Sequence, residues 1–199
     1  FDLKGAEAEN GLGNLVTDAI RWSVDRVDSD LGDPADPARR VGRVTLAVES
    51  GGIIRDNLLK GSSGRLTTAD LFRVLPLGIG LDDSMAYPLI SVYMTGAEIR
   101  KALEIVASVH PLKGSDYFLQ ISGARFRYNP RRVLFDRVTA VEIGSDEEGW
   151  QRLDTSRRNS TLYRVVANYY NSAFLKLIGG FTFGILNIVP KDREGRPIE

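Results

Sequence analysis

The apolar residues of this chain change their repeat along its length, and that change limits the available folds more than any other feature. Leu12, Leu15, Val16, Ala19, Ile20, Val24 and Val27 recur at three and four residues, the spacing of one buried face on a helix of about four turns. "DSDLGDPADPARR", from Asp28, interrupts the pattern with two prolines and four aspartates and reads as an exposed loop. In "VGRVTLAVES", Val44, Leu46 and Val48 then alternate with Arg43, Thr45 and Ala47 as in a strand. "TTADLFRVLPLG" opens with capping hydroxyls at Thr67 and Thr68 and stops at Pro76, which predicts a short helix and a turn. A further strand ends at Met94. There Thr95-Gly96-Ala97-Glu98 has the spacing in which the threonine and glutamate side chains each satisfy a free backbone donor of a new helix. Ile99, Ala102, Leu103 and Val106 give that helix its buried face. "FLQISGARFRYNP" and "VTAVEIG" read as neighbouring strands and "LYRVVANYY" as another. Helices and strands are interspersed, without the regular alternation and glycine fingerprint of a dinucleotide fold. The expectation is one α+β domain over residues 1–199, with a mixed, largely antiparallel sheet packed with helices.

Composition narrows the chemistry. Lys plus Arg and Asp plus Glu both number 26, so the overall charge gives no footprint for nucleic acid or an anionic membrane. No apolar run reaches the roughly 18 to 20 residues of a membrane helix, and no charged n-region precedes an apolar stretch at the N-terminus, so a soluble chain without a membrane span is expected. The absence of an initiating Met leads to the expectation of a processed or excised segment. There is no cysteine, which excludes disulfides, thiolate metal sites and cysteine nucleophiles. The lone histidine, His110, stands before Pro111 and reads as a helix-end residue, so no His-rich metal site is expected within the chain. Ser108 and Ser115 near it belong to no nucleophile motif. The pairs Arg131-Arg132 and Arg157-Arg158 read as solvated loop charge. "GSDEEGWQ" reads as an acidic turn, since it lacks the carboxylate spacing of a calcium loop.

The candidate site is "AVESGGIIRDNLLKG", Ala47 to Gly61. Two glycines after a strand make a tight turn on the simplest reading. On the other reading, the missing Cβ atoms let backbone N–H groups approach an anion or planar ligand while Arg55 offers its fixed fork of donors.

In their order, "ENGLGNLVTDAIR", "ESGGIIRDNL", "LFRVLPLG", "MTGAEIRKALE", "FLQISGARFRYN" and "YRVVANYY" resemble the C-terminal domain of the 5'-nucleotidase family over roughly Glu7 to Tyr170. The resemblance implies an extracellular or periplasmic hydrolase of nucleotides or related phosphoesters. An N-terminal metallophosphatase domain of the same polypeptide would hold two divalent metal ions and the catalytic His-Asp pair. The chain in hand would bind the nucleoside part of the substrate, would hold no cofactor and would be inactive when isolated. By the same resemblance Ser50, Gly51, Gly52 and Arg55 fall in the cleft, together with the turn at Leu77 and Gly78. A non-catalytic binding or interaction module that keeps the fold but has lost nucleotide recognition is the alternative.

The departures from the family pattern fall on ligand-contacting positions. Ile53 replaces a third glycine and makes the turn bulkier, Leu77 replaces a base-stacking aromatic, and only Lys4 is basic before Arg21. In place of a Gly-Gly-Asp-Gly-aromatic segment the chain has "NSAFLKLIGGFTFGILNIVPKD". From it Phe181 and Phe183 supply either an aromatic wall for the ligand or, as the simpler expectation, packing in a buried apolar segment.

Overall fold

The computed structural model describes residues 9–31, 42–76 and 88–198. Helix α1 (Gly11–Leu31) starts where the Asn10 side chain accepts from the Gly13 N–H at 2.8 Å, and it runs for 21 residues rather than four turns. Strand β1 (Leu46–Ser50) leads through a short 3₁₀ turn (Gly51–Ile53) to α2 (Thr68–Val74). Then come β2 (Leu89–Thr95), α3 (Gly96–Glu104), a π-turn (Ile105–Val109) and the single turn α4 (His110–Lys113). Strands β3 (Leu119–Ser122), β4 (Ala124–Tyr128), β5 (Val138–Ser145), β6 (Gly149–Arg152) and β7 (Leu162–Asn168) precede α5 (Tyr169–Phe181). The two helix starts expected from threonine spacing are present. Thr67 forms a capping box with Asp70, and Thr95 forms one with Glu98.

The strands form two sheets. One has the order β2-β7-β1-β3, with β1 parallel to β7 and the remaining pairs antiparallel; the other is the antiparallel meander β4-β5-β6. The α+β class with a mixed, largely antiparallel sheet is therefore the observed one. "FLQISGARFRY" does not run as one strand beside "VTAVEIG". Gly123, at φ 83°, breaks it so that β3 joins the first sheet and β4 the second. A side chain at Gly123 would sit 2.2 Å from the Thr45 carbonyl oxygen, so both the turn and the close approach require glycine.

Helix α1 lies against β3, β1 and β7 on one face of the first sheet. The stripe that contacts it is narrower than the apolar periodicity suggests. Leu12, Val16 and Thr17 are buried, whereas Leu15 and Val27 are exposed and Ala19 faces out with them. The main core fills the opposite face, with Leu46, Val92, Met94, Ile99, Leu103, Ile105, Val165 and Ile178 packed together. A smaller cluster of Leu12, Val16, Ile54, Leu58 and Val74 joins α1 to the segment after the 3₁₀ turn and to α2. "VGRVTLAVES" thus supplies a strand buried on both faces, since Leu46 and Val48 meet the main core while Ala47 and Glu49 lie fully covered beneath α1.

Candidate functional site at the end of β1

Strand β1 is central, pairing Leu46–Val48 with Val165–Ala167 of β7 and Ala47–Ser50 with Leu119–Ser122 of β3. The turn that follows is consequently held from both sides. The Ser50 hydroxyl donates to the Asp116 carbonyl at 2.5 Å and accepts from the Gly52 N–H at 3.3 Å, and the Gly51 N–H donates to the Phe118 carbonyl at 2.7 Å. A Cβ on Gly52 would lie 3.0 Å from the Asp116 carboxylate. The N–H groups of both glycines are thus engaged within the scaffold, which removes them as the anion donors expected from the sequence. The missing Gly52 Cβ makes room for Asp116. Ile53 does not bulk out the surface of the turn, because its side chain is buried beside that of Ile54.

Arg55 follows as an exposed residue. Its N–H donates to the Val74 carbonyl at 2.8 Å, which ties it to the end of α2 just before Leu75 and Pro76. Asp56 beside it is held by Arg73, whose guanidinium keeps the Asp56 carboxyl below its ordinary value. Among the described residues Arg55 itself has no carboxylate partner. Leu77 and Gly78 lie outside the described residues, as does the expected concavity they would share with the turn. One cavity of about 80 Å³ on the main-core face is lined by Ser50, Asp116 and Asn171, and a polar cleft of about 490 Å³ runs along Arg21, Gln120, Arg125 and Trp150. Neither of these two is lined by Gly51, Gly52 or Arg55.

The end of α5 and the turn after it bear on the expectation of buried packing. Phe183 is 95% exposed in the left-handed region at φ 51°, so it packs into no core. Ile178, Leu186 and Ile188 do the packing there. The side chain of Phe181 lies outside what the structure describes. No described contact brings Phe183 to Arg55.

Sequence reasoning missed the polar side chains behind the turn. Glu49 is fully buried; its Oε1 accepts from the Asn171 side-chain N–H at 2.6 Å and from the Ser50 N–H at 3.0 Å. Burial pushes its carboxyl up to about 7, against the pull of these two donors. Asn168, also fully buried, caps α5 by accepting from the Tyr170 N–H at 2.8 Å. The only sequence signal was a glutamate next to the turn in a strand that proves to be covered on both sides.

The fold and sequence are shared with known proteins. The chain belongs to the 5'-nucleotidase C-terminal domain family, whose sequence profile matches residues 2–175. It is 29% identical to the bovine (Bos taurus) 5'-nucleotidase over 136 residues, 68% of this chain but 21% of that protein. It is 28% identical over 165 residues to a cell wall protein of Listeria monocytogenes, covering 81% of this chain and 17% of the relative. Among solved structures, a 5'-nucleotidase precursor from Thermus thermophilus superimposes with a TM-score of 0.63 at 27% identity, covering 91% of this chain and 29% of that one. The NAD nucleotidase of Haemophilus influenzae shares the fold, with a TM-score of 0.54 at 20% identity over 84% of this chain and 25% of that one. The chain thus corresponds to about a fifth of the length of the curated relatives it matches.

Proposed function

We propose that this chain is the substrate-binding part of a metallophosphoesterase that hydrolyses nucleotides or related phosphoesters outside the cytoplasm. The observation that carries the reading is the match to the 5'-nucleotidase C-terminal domain along residues 2–175, combined with an exposed Arg55, near the end of the central strand, that has no carboxylate partner among the described residues. Arg55 provides the ligand anchor, a planar fork suited to a phosphate oxygen or a ribose hydroxyl. Ser50, Gly51 and Gly52 hold it in place through their bonds to Asp116 and Phe118. Leu77 and Gly78 belong to the same surface on this reading, and Phe181 and Phe183 close it only if another part of the polypeptide brings them near.

Phosphoester cleavage in such an enzyme calls for two divalent metal ions, which activate water and neutralise charge on the transferring phosphoryl group. Among the described residues no group of three or more His, Asp or Glu is placed to hold a metal. The metal site belongs instead to an N-terminal domain. The apolar surface around α2, where Leu59, Leu66, Leu71 and Phe72 stand exposed, suits contact with such a domain.

A second reading, a binding module without hydrolysis, is favoured by Leu77 and by the missing Gly-Gly-Asp-Gly-aromatic segment. One assay separates the two: release of phosphate from AMP by the full-length gene product with added divalent metal, compared with its Arg55→Ala variant and with the 199-residue chain. Hydrolysis by the full protein, a severalfold or greater loss in kcat/KM for Arg55→Ala and no activity in the isolated chain support the enzyme. A full-length protein that binds nucleotide without hydrolysing it supports the module. Activity of the isolated chain refutes the two-part reading.

A further inference from the structure

Three strands of the first sheet place polar side chains side by side beneath α1. Gln120 of β3 lies directly across from Glu49 of β1, and all of them are at least 98% covered when Asn168 is included. The register Val48 to Ala167 puts Asn168 of β7 next to Glu49 on its other side. Glu49 Oε1 takes two donors, whereas Glu49 Oε2 and Asn168 Nδ2 are both buried without a hydrogen-bond partner among the described residues. A carboxylate buried without a cation is costly, and the neutral acid is the form such a site favours.

The charged groups on the surrounding elements are committed elsewhere. On β7, Arg164 is bound by Asp28 of α1, the Gly42 carbonyl and the Ser91 hydroxyl. On α1, Arg21 donates to the Val44 carbonyl while Asp18 lies exposed along the polar cleft. Asp116, before β3, sits against Gly52. Among the described residues no cation pairs with Glu49, and α5 meets it with the neutral Asn171.

We propose that Glu49 is a positioning residue: carrying its proton, it ties the Ser50–Ile53 turn to the first turn of α5, and losing that proton to solvent resets the two against each other. The contacts that make the tie are the Ser50 N–H and the Asn171 side chain, both on the same carboxyl oxygen. Once ionised, Oε2 becomes a second strong acceptor with no donor among the described residues, and the neighbouring Asn168, at the start of α5, carries an unused donor in Nδ2. Turning toward it, or drawing in water, moves Oε1 and with it the turn that presents Arg55. The inference about Glu49 stands on its own geometry; its consequence for ligand binding rests on the function proposed above.

The test is a pH titration of the chain from 5 to 9, followed by NMR at the Glu49 carboxyl carbon and at the amides of Ser50, Gly51, Gly52 and Asn171. The wild type should show one shared step centred near 7. Glu49→Gln, which keeps the shape of the neutral acid, should hold the turn at its low-pH position throughout. Asn171→Ala should move the step upward by roughly half a unit or more, since it removes a donor that favours the ionised form. A flat wild-type profile, a step that persists in Glu49→Gln, or a step unmoved by Asn171→Ala each overturns the proposal. Adenosine, which has no phosphate to titrate, then probes the ligand side. Affinity that changes with the step in the wild type and is constant in Glu49→Gln supports both readings. A step with no adenosine binding at any pH leaves the Glu49 coupling standing and sinks the ligand role of the turn.

Discussion

Two strand ends, each leading straight into helical structure, treat the glutamates beside them in opposite ways. At the end of β2, Glu98 accepts from the Thr95 N–H and hydroxyl, both at 2.9 Å, and pairs with Lys191. Burial alone would raise its carboxyl, but Lys191 and Thr95 outweigh burial and hold it below its ordinary value. At the end of β1, Glu49 has two neutral donors on one oxygen and none on the other, and burial wins. Glu104, also buried, has a donor on each of its oxygens. It is 2% exposed, yet it is satisfied by the Val138 N–H at 2.6 Å and the Ser108 hydroxyl at 2.8 Å. The scaffold glutamates thus have their acceptors filled, while the incompletely satisfied one adjoins the turn that carries Arg55. Polar groups left short of partners concentrate where a structure is arranged for something besides stability.

The largest test of this contrast removes a satisfied scaffold carboxylate. Glu104→Ala leaves the Val138 N–H and the Ser108 hydroxyl without their acceptor and should cost about 3 kcal/mol in a denaturant titration. Glu49→Gln keeps the shape and one acceptor, and above pH 8 it should leave the chain no less stable than the wild type. A second test uses pH. For Glu49, folded near 7 and unfolded near 4.5, the acid is protonated in both states at low pH. As pH rises the unfolded chain ionises first, so this group's contribution to stability falls and levels off above 7, a loss of roughly 3 kcal/mol. Glu98 has the opposite sign, because its depressed carboxyl gives stability above its ordinary value that is lost as pH falls. Denaturation midpoints of the wild type and Glu49→Gln should therefore converge in acid and separate above pH 7. Parallel profiles would erase the contrast.

How much of this was legible in sequence follows the same division. The β2–α3 junction could be read in detail, because a capping box is local and its residues lie within three positions of one another. The α+β class followed from the changing hydrophobic period. Strand pairing did not, and the role of Gly123 in passing the chain from one sheet to the other depends on Thr45, far away in sequence. The turn at Gly51 and Gly52 was found, but its N–H groups are taken by Ser50 and Phe118, which no local pattern announces. Glu49 was hidden for a related reason. Its meaning depends on α1 above it and Asn171 beyond it, both assembled only by the fold.

The smaller predictions sharpen the two ends of the comparison separately. Thr95→Ala removes the cap of α3 and should cost about 1 kcal/mol, visible as a lower midpoint at every pH. Arg55→Ala touches an exposed side chain with no carboxylate partner among the described residues and should change stability by less than about 0.5 kcal/mol, while nucleotide affinity falls for every base alike. A marked drop in stability would place Arg55 in the scaffold.

The central claim is that the strand end at Ser50 to Arg55 is the ligand-contacting part of this domain. It is tested most directly by mapping backbone amide shifts while AMP is titrated into the isotopically labelled chain. The account predicts saturable shifts at Gly51, Gly52 and Arg55, absent in Arg55→Ala, with β4, β5 and β6 unmoved. Shifts that gather instead around the cleft of Arg21, Arg125 and Trp150, with the turn silent, would contradict it.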